Sequence, residues 1–346
     1  MARSSALNVS VGVIAAILVS AAAYQANEVF APLALALFII ALVWPLQSWL
    51  KARMPTLLAL AITMAVTVAV CALLASMVVW SFGRVGRSLL SDYERHQTLY
   101  NAVAAWLESH GISVAGWTQH FDVAWLLRTA QQVTGRLNTT LSFWLIALVY
   151  VILGLMEVDD VDSRVRKYAK PETAHLFLTA SAETAQKMRK YMEVRTQMSV
   201  ATGAVVGIFA WAVGLQFPLE WGVIAFVLNY VPFVGPFIAT VFPTLVEMAQ
   251  LSSWGAVLGV FACLNIIQFV IGSYIEPRVS GAVLAMSPTV VLFAVFFGMF
   301  LWGLFGAFIG VPIAIAIITF CSHNPSSRWV ADYLGGPMEG KSLAKG

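Results

Sequence analysis

Charge is what this sequence has least of. Asp, Glu, Lys and Arg make up 11% of its residues, hydrophobic types make up 60%, and the mean hydropathy is +0.82. A soluble domain carries roughly 25% charged residues, so a water-facing globular surface is excluded for most of the chain. Between residues 196 and 327 the charges are Glu220, Glu247, Glu276 and Arg278 alone. Cysteine is scarce too. Cys71, Cys263 and Cys321 lie in separate apolar runs, so neither a disulfide framework nor a metal cluster is expected. His96, His110, His120, His175 and His323 are scattered without ligand spacing. A net charge of +3 with no recognition motif argues against a nucleic-acid partner. There is no H-E-x-x-H, no serine elbow and no histidine inside a span, so an enzyme is not expected. Gly335 to Ser342 matches the spacing G-x-x-x-x-G-K-S, but that chemistry needs a strand before it and a helix after it. It is read as a glycine-rich tail, with no nucleotide and no cofactor implied.

What is present is a series of long apolar runs, which define a multispan helical membrane protein. Residues 7–23 and 29–43 form a tight pair in the N-terminal segment, 1–80, and the first is read as an uncleaved span. Residues 57–80 are a full span. Residues 81–138 are polar and form an extracytoplasmic insert with two amphipathic helices. One carries Leu99, Val103, Trp106 and Leu107; the other carries Val123, Leu126, Leu127, Ala130, Val133 and Leu137. Residues 139–156 cross back. Residues 157–195 hold basic residues among acids, with Phe177, Ala180, Thr184, Met188 and Met192 on one weakly apolar face. They read as a cytoplasmic amphipathic helix lying along the bilayer. Residues 198–215 and 254–275 are further spans within a core, 196–320, and 321–346 are a cytoplasmic tail. Arg3, Lys51, Arg53, Arg278, Arg328, Lys341 and Lys345 then all fall on the cytoplasmic side, as the positive-inside rule asks.

Two stretches of the core stand out. Residues 219–250 hold two short apolar arms, 221–228 and 237–246, around Pro232, Gly235 and Pro236. Neither arm reaches the about 20 residues a spanning helix needs. Proline lacks an amide hydrogen and clashes with the preceding turn. The arms therefore read as half-helices of a re-entrant hairpin; one kinked helix over 220–246 is the other reading. Residues 288–320 form a second apolar stretch interrupted at Trp302-Gly303-Leu304-Phe305-Gly306. Each stretch follows a span, which suggests an inverted repeat relating 198–250 to 254–320.

The run Leu228-Asn229-Tyr230-Val231-Pro232-Phe233-Val234-Gly235-Pro236 resembles the AI-2E family of membrane transporters, also called the autoinducer-2 exporter or PerM-like permease family. Ile275-Glu276-Pro277-Arg278, Ser287-Pro288, Leu301-Trp302-Gly303-Leu304-Phe305-Gly306 and Val311-Pro312 agree with it. The resemblance implies an all-α polytopic fold of about eight membrane segments, counting two re-entrant or broken-helix hairpins, with amphipathic extramembrane helices. It also implies homo-oligomers, pentamers by analogy; the expected place is a bacterial inner membrane, with both termini cytoplasmic by the span count and the positive-inside rule. The implied activity is export of a small solute such as autoinducer-2, or Na⁺/H⁺-type antiport, depending on the member. A channel or scaffold without coupled transport is the reading from a different class. No energy-coupling module is visible, so uphill transport would draw on an ion gradient.

The candidate path residues follow from the breaks. Asn229 precedes the first break, where its amide would either cap a helix or touch a solute. Carbonyls freed around Pro232, Gly235 and Pro236 would suit a cation. Glu220 and Glu247 mark the ends of the first hairpin; both read as meeting water at the interface, and Glu247, if buried, as a proton carrier. Asn265 and Gln268 share a helix face and would line a path or bond between helices. Glu276 and Arg278 flank Pro277, as a structural ion pair or a cytoplasmic gate. Trp302, Gly303 and Gly306 form the second hairpin's turn. Gly203-x-x-x-Gly207, Gly255-x-x-x-Gly259 and Gly306-x-x-x-Gly310 offer close helix contacts.

Overall fold

The computed structural model describes residues 2–91, 108–109, 137–248, 254–280 and 286–335. Among them every regular element is helical, and the one β-type contact is an isolated bridge between Met286 and Gly335. In chain order the helices are α1 (Ala2–Gln25), α2 (Asn27–Lys51), α3 (Thr56–Ser91), α4 (Leu137–Tyr168), α5 (Pro171–Val213), α6 (Pro218–Leu228), α7 (Val234–Glu247), α8 (Trp254–Phe269), a π-helical stretch (Val270–Ile275), α9 (Glu276–Ser280), α10 (Pro288–His323) and α11 (Arg328–Leu334). Six helices are long and apolar enough to cross a membrane: Asn27–Lys51, Thr56–Ser88, Ser142–Tyr168, Pro171–Val213, Trp254–Val279 and Pro288–His323. The protein is an all-α polytopic membrane protein. The amphipathic helices expected over 99–107 and 123–137 lie outside the described residues, save Leu137, where α4 begins.

The chain divides into two compact units. One comprises Met1–Ala69, Trp144–Thr196 and Pro277–Gly346; the other comprises Val70–Phe143 and Gln197–Glu276. Each holds one of the two interrupted stretches.

In the first unit, α2 carries Pro45 in its interior. A proline there leaves the carbonyl four residues earlier without its helical donor. That carbonyl belongs to Ala41, and Arg189 Nη1 of α5 donates to it at 2.8 Å. The helix is repaired from outside by a neighbouring guanidinium. Gln47, fully buried two residues on, accepts from Thr63 Oγ1 of α3 at 2.7 Å. A polar knot joins α5 to the end of α10: Glu183 lies 2.7 Å from Lys187 Nζ and 3.1 Å from His323 Nε2, and Lys187 also reaches Thr319 Oγ1 at 3.4 Å.

Helix α5 is longer than its sequence pattern suggests. Residues 157–168 continue α4, while the rest of the amphipathic helix expected over 157–195 and the span expected over 198–215 meet in one 43-residue helix, about 65 Å long at 1.5 Å per residue. No proline or glycine falls between Glu193 and Ala201 to end it. Its buried side chains recur at Ala180, Thr184, Met188, Tyr191, Arg195, Ser199, Thr202, Val206 and Ala210, three or four apart. Met192, placed on the apolar face from the sequence, is only half-buried.

In the second unit the core gathers Trp221, Ile224 and Ala225 of α6 with Val206 and Ala210 of α5, Ala239 and Val246 of α7, Val260 and Leu264 of α8, and Val85 of α3. Trp221 meets Phe242 edge to face at 6.0 Å, which adds a directional contact to plain burial.

Candidate functional site

The first interrupted stretch is a hairpin of two separate helices, not one kinked helix. Helix α6 has 11 residues and α7 has 14, so their lengths are about 16 and 21 Å, short of a bilayer's hydrocarbon core of about 30 Å. Asn229 closes α6, and residues 229–233 turn the chain. The turn is tight because of one residue: a methyl added to Gly235 would collide with the Leu228 carbonyl. Its tip is a three-residue γ-turn. Val234 N–H donates to Pro232 O at 2.7 Å, with Phe233 between them at φ 63 and ψ −55. Positive φ in a γ-turn is rare and strained for a residue with a side chain. Pro236 sits in the first turn of α7, where the absent amide hydrogen costs nothing. Pro232 and Gly235 are buried, while Phe233 is exposed.

Asn229 is buried, and its side chain reaches across to α5, where Nδ2 donates to Ser199 Oγ at 3.2 Å. Three residues along the same helix, the Thr202 hydroxyl is buried with no hydrogen-bond partner. Thr240 and Thr244 of α7 are also buried, but each donates to a carbonyl of its own helix, at 3.0 and 2.8 Å. A buried polar atom without a partner carries a penalty of about 1–3 kcal/mol. The Thr202 hydroxyl shares that state with the Ser81 and Thr184 hydroxyls among the described residues. The small residues that let α6 lie on α5 follow directly: methyls at Gly203 or Gly222 would press into each other's backbone at 2.7–2.8 Å. Of the expected glycine pairs, Gly203 and both members of 306/310 make such contacts, Gly207 is in ordinary contact with Pro218 and Gly222, and Gly259 meets nothing within 4 Å.

Other expected site residues fall elsewhere. Glu247 ends α7, and its side chain lies outside the described residues. Asn265 is exposed and donates Nδ2 to its own helix at Phe261 O, 2.8 Å away. Gln268 is half-buried with its Nε2 unpartnered. Glu276, half-buried, and Arg278, exposed, do not mark the helix end expected at Pro277. The π-helical Val270–Ile275 shifts the register before them, and the chain goes on as α9. Glu220 departs most from expectation. It is 2% exposed instead of meeting water, with a carboxylate oxygen 2.9 Å from Arg84 Nη1.

The second interrupted stretch, within α10, also doubles back. Trp302 (φ −137, ψ 20) and Gly303 (φ 64, ψ −144) leave the helical region, and the latter conformation is open almost only to glycine. Methyls at Gly298, Gly306 or Gly310 would collide with the backbone of the facing arm, at Gly306, Gly298 and Ala294 respectively. The Trp302 indole N–H donates to Ala23 O of α1 at 3.0 Å, and Phe300 stacks on Tyr24 at 5.3 Å. The breaker pattern of the sequence does not point to Ser199, Thr202 or Arg84. The first two carry a usable signal, hydroxyls three apart on an apolar helix beside Gly203.

Broken helices around a buried polar side chain, in a polytopic helical chain, are the architecture of a membrane transport protein. The chain belongs to the AI-2E family of transporters, whose model matches residues 13–325. It is similar to the AI-2 transport protein TqsA of Escherichia coli K12, 27% identical over 296 residues that cover 84% of this chain and 85% of the relative. It is similar also to YhhT of the same organism, a protein named only for transport, 27% identical over 312 residues and covering 88% and 86%. YrrI of Bacillus subtilis 168, named likewise, is 28% identical over 206 residues, 58% of this chain and 57% of the relative.

Proposed function

We propose that this protein is a secondary exporter of a small polar solute of the autoinducer-2 kind, and that the solute passes the turn of the first hairpin. The observation that carries the reading is the polar group at that turn. Asn229 is buried against Ser199, and the unpartnered Thr202 hydroxyl lies three residues further along the same helix. The carbonyls and breaks at Pro232, Gly235 and Pro236 supply the irregular backbone that membranes tolerate only around a cavity or a site. Gln268, with its own unpartnered amide, extends the polar path, and residues 276–278, after the π-helical stretch, serve as the gate. The name of TqsA supports the solute class. The bacterial relatives support an inner membrane, with cytoplasmic termini and a homo-oligomeric assembly as parts of the same proposal.

Cation/proton antiport is the second reading, favoured by the buried carboxylate Glu220. The test is uptake of labelled autoinducer-2 into inverted vesicles under an imposed proton or sodium gradient. The expected result is gradient-driven accumulation that Asn229→Ala abolishes. No accumulation by folded, inserted protein, together with a sodium-driven change of internal pH, would replace export by antiport.

A further inference from the structure

Glu220 is the one buried carboxylate among the described residues. It lies in the first turn of α6, where the helix dipole favours an anion. Its chain neighbour Trp221 belongs to the apolar core with Val206, Ala210, Ile224 and Leu264, and the buried, unpartnered Ser81 hydroxyl lies one turn before Arg84 on α3. The partner is Arg84 of α3, with Nη1 2.9 Å from Oε1, at an angle too bent for a hydrogen bond. The attachment is therefore coulombic. Arg84 is not buried with it; half its side chain is exposed, and its guanidinium lies 5.5 Å from the Trp80 ring. On α3 itself the exposed Arg87 lies one turn beyond Arg84, and α7 ends in Glu247. Residues 197–213 of α5 and 234–246 of α7 contain no ionisable side chain, and α8 contains only the exposed Cys263. Immediately before α6, Phe217 is held at φ 60, a left-handed conformation that a phenylalanine adopts only when its surroundings force it.

We propose that Glu220 is a proton-binding carboxylate, and that exchanging Arg84 for a proton frees the base of the first hairpin from α3. This rests on the reading of the chain as an ion-coupled transporter and names its coupling site. The carboxylate takes one proton from water on the side where Arg84 is exposed, and an O–H bond forms. The pair passes from net zero charge to +1, and Arg84, still protonated, keeps its place in water and over Trp80. A neutral carboxyl suits the apolar core without a partner charge. With the ion pair gone, the strained Phe217 relaxes and the start of α6 moves.

The full chain in lipid bilayers is titrated while two signals are followed. Infrared difference spectra report the protonated carboxyl stretch, and a thiol reagent reports labelling of Leu219→Cys, a position 63% exposed beside the pair. A carboxyl band should grow as pH falls and vanish in Glu220→Gln. Labelling should rise with that band in the parent and be high at every pH when Glu220→Gln is added. If Glu220→Gln does not fold, Glu220→Asp should shift the band and keep the labelling change. A band unaffected by residue 220, or one that grows while labelling stays constant, overturns the proposal. Neither signal needs a solute, so a failed export assay and a failed titration are separate results.

Discussion

The two hairpins solve one problem in opposite ways. Both reverse an apolar chain, and both rely on glycines so close to facing backbone that no side chain fits. The second is nearly all hydrocarbon. Its buried residues run Ala294, Val295, Gly298, Gly306, Ala307, Ile309, Gly310, Val311, Pro312 and Ile315, with Thr319 alone polar, near the far end. Its turn takes a conformation glycine adopts freely, and its tip is fastened by the Trp302 indole to Ala23. The first hairpin puts Phe233 where glycine belongs, buries Asn229 at the bend and packs on a helix that leaves Thr202 unpaired. One hairpin is built for stability. The other carries a strained turn and a buried amide at its bend, the features on which the proposed path rests.

The sharpest break of this comparison hits both hairpins alike. Gly235→Ala and Gly306→Ala each force a methyl into a carbonyl, and each should cost about 3 kcal/mol or more, read as loss of folded protein in detergent. The hairpins separate at the turn residues. Gly303→Ala should destabilise by about 1–3 kcal/mol, whereas Phe233→Gly should stabilise by about 1 kcal/mol, both by thermal unfolding, because only the first turn carries strain. Thr202→Val removes a buried hydroxyl with no partner; thermal stability should rise by about 1 kcal/mol while solute flux falls. The smallest effect belongs to the second hairpin. Trp302→Phe gives up one hydrogen bond and should cost about 1 kcal/mol of stability without changing flux.

Both breaks are legible in the sequence, because proline and glycine interrupt otherwise apolar runs at Pro232–Pro236 and Trp302–Gly306. Other features are not, for physical reasons. The length of α5 is hidden because a charged helix and an apolar span look like two elements, although no breaker separates them. Pro45 announces an orphaned carbonyl at Ala41, but nothing local says that Arg189 will fill it. Glu220 looks like an interface residue near the start of a short arm; its burial depends on Arg84, which lies beyond the apolar stretch that marks the third span. The π-helical turn before Glu276 depends on side-chain packing and leaves no breaker in the sequence.

The most direct test of the central claim, that the first hairpin carries the path, is to measure solute flux in proteoliposomes for Asn229→Ala and Trp302→Phe side by side at matched folded protein. The account predicts that Asn229→Ala loses about tenfold or more of the flux, the worth of one good hydrogen bond, while Trp302→Phe transports normally. Normal flux through Asn229→Ala, or equal losses in both variants, would contradict it.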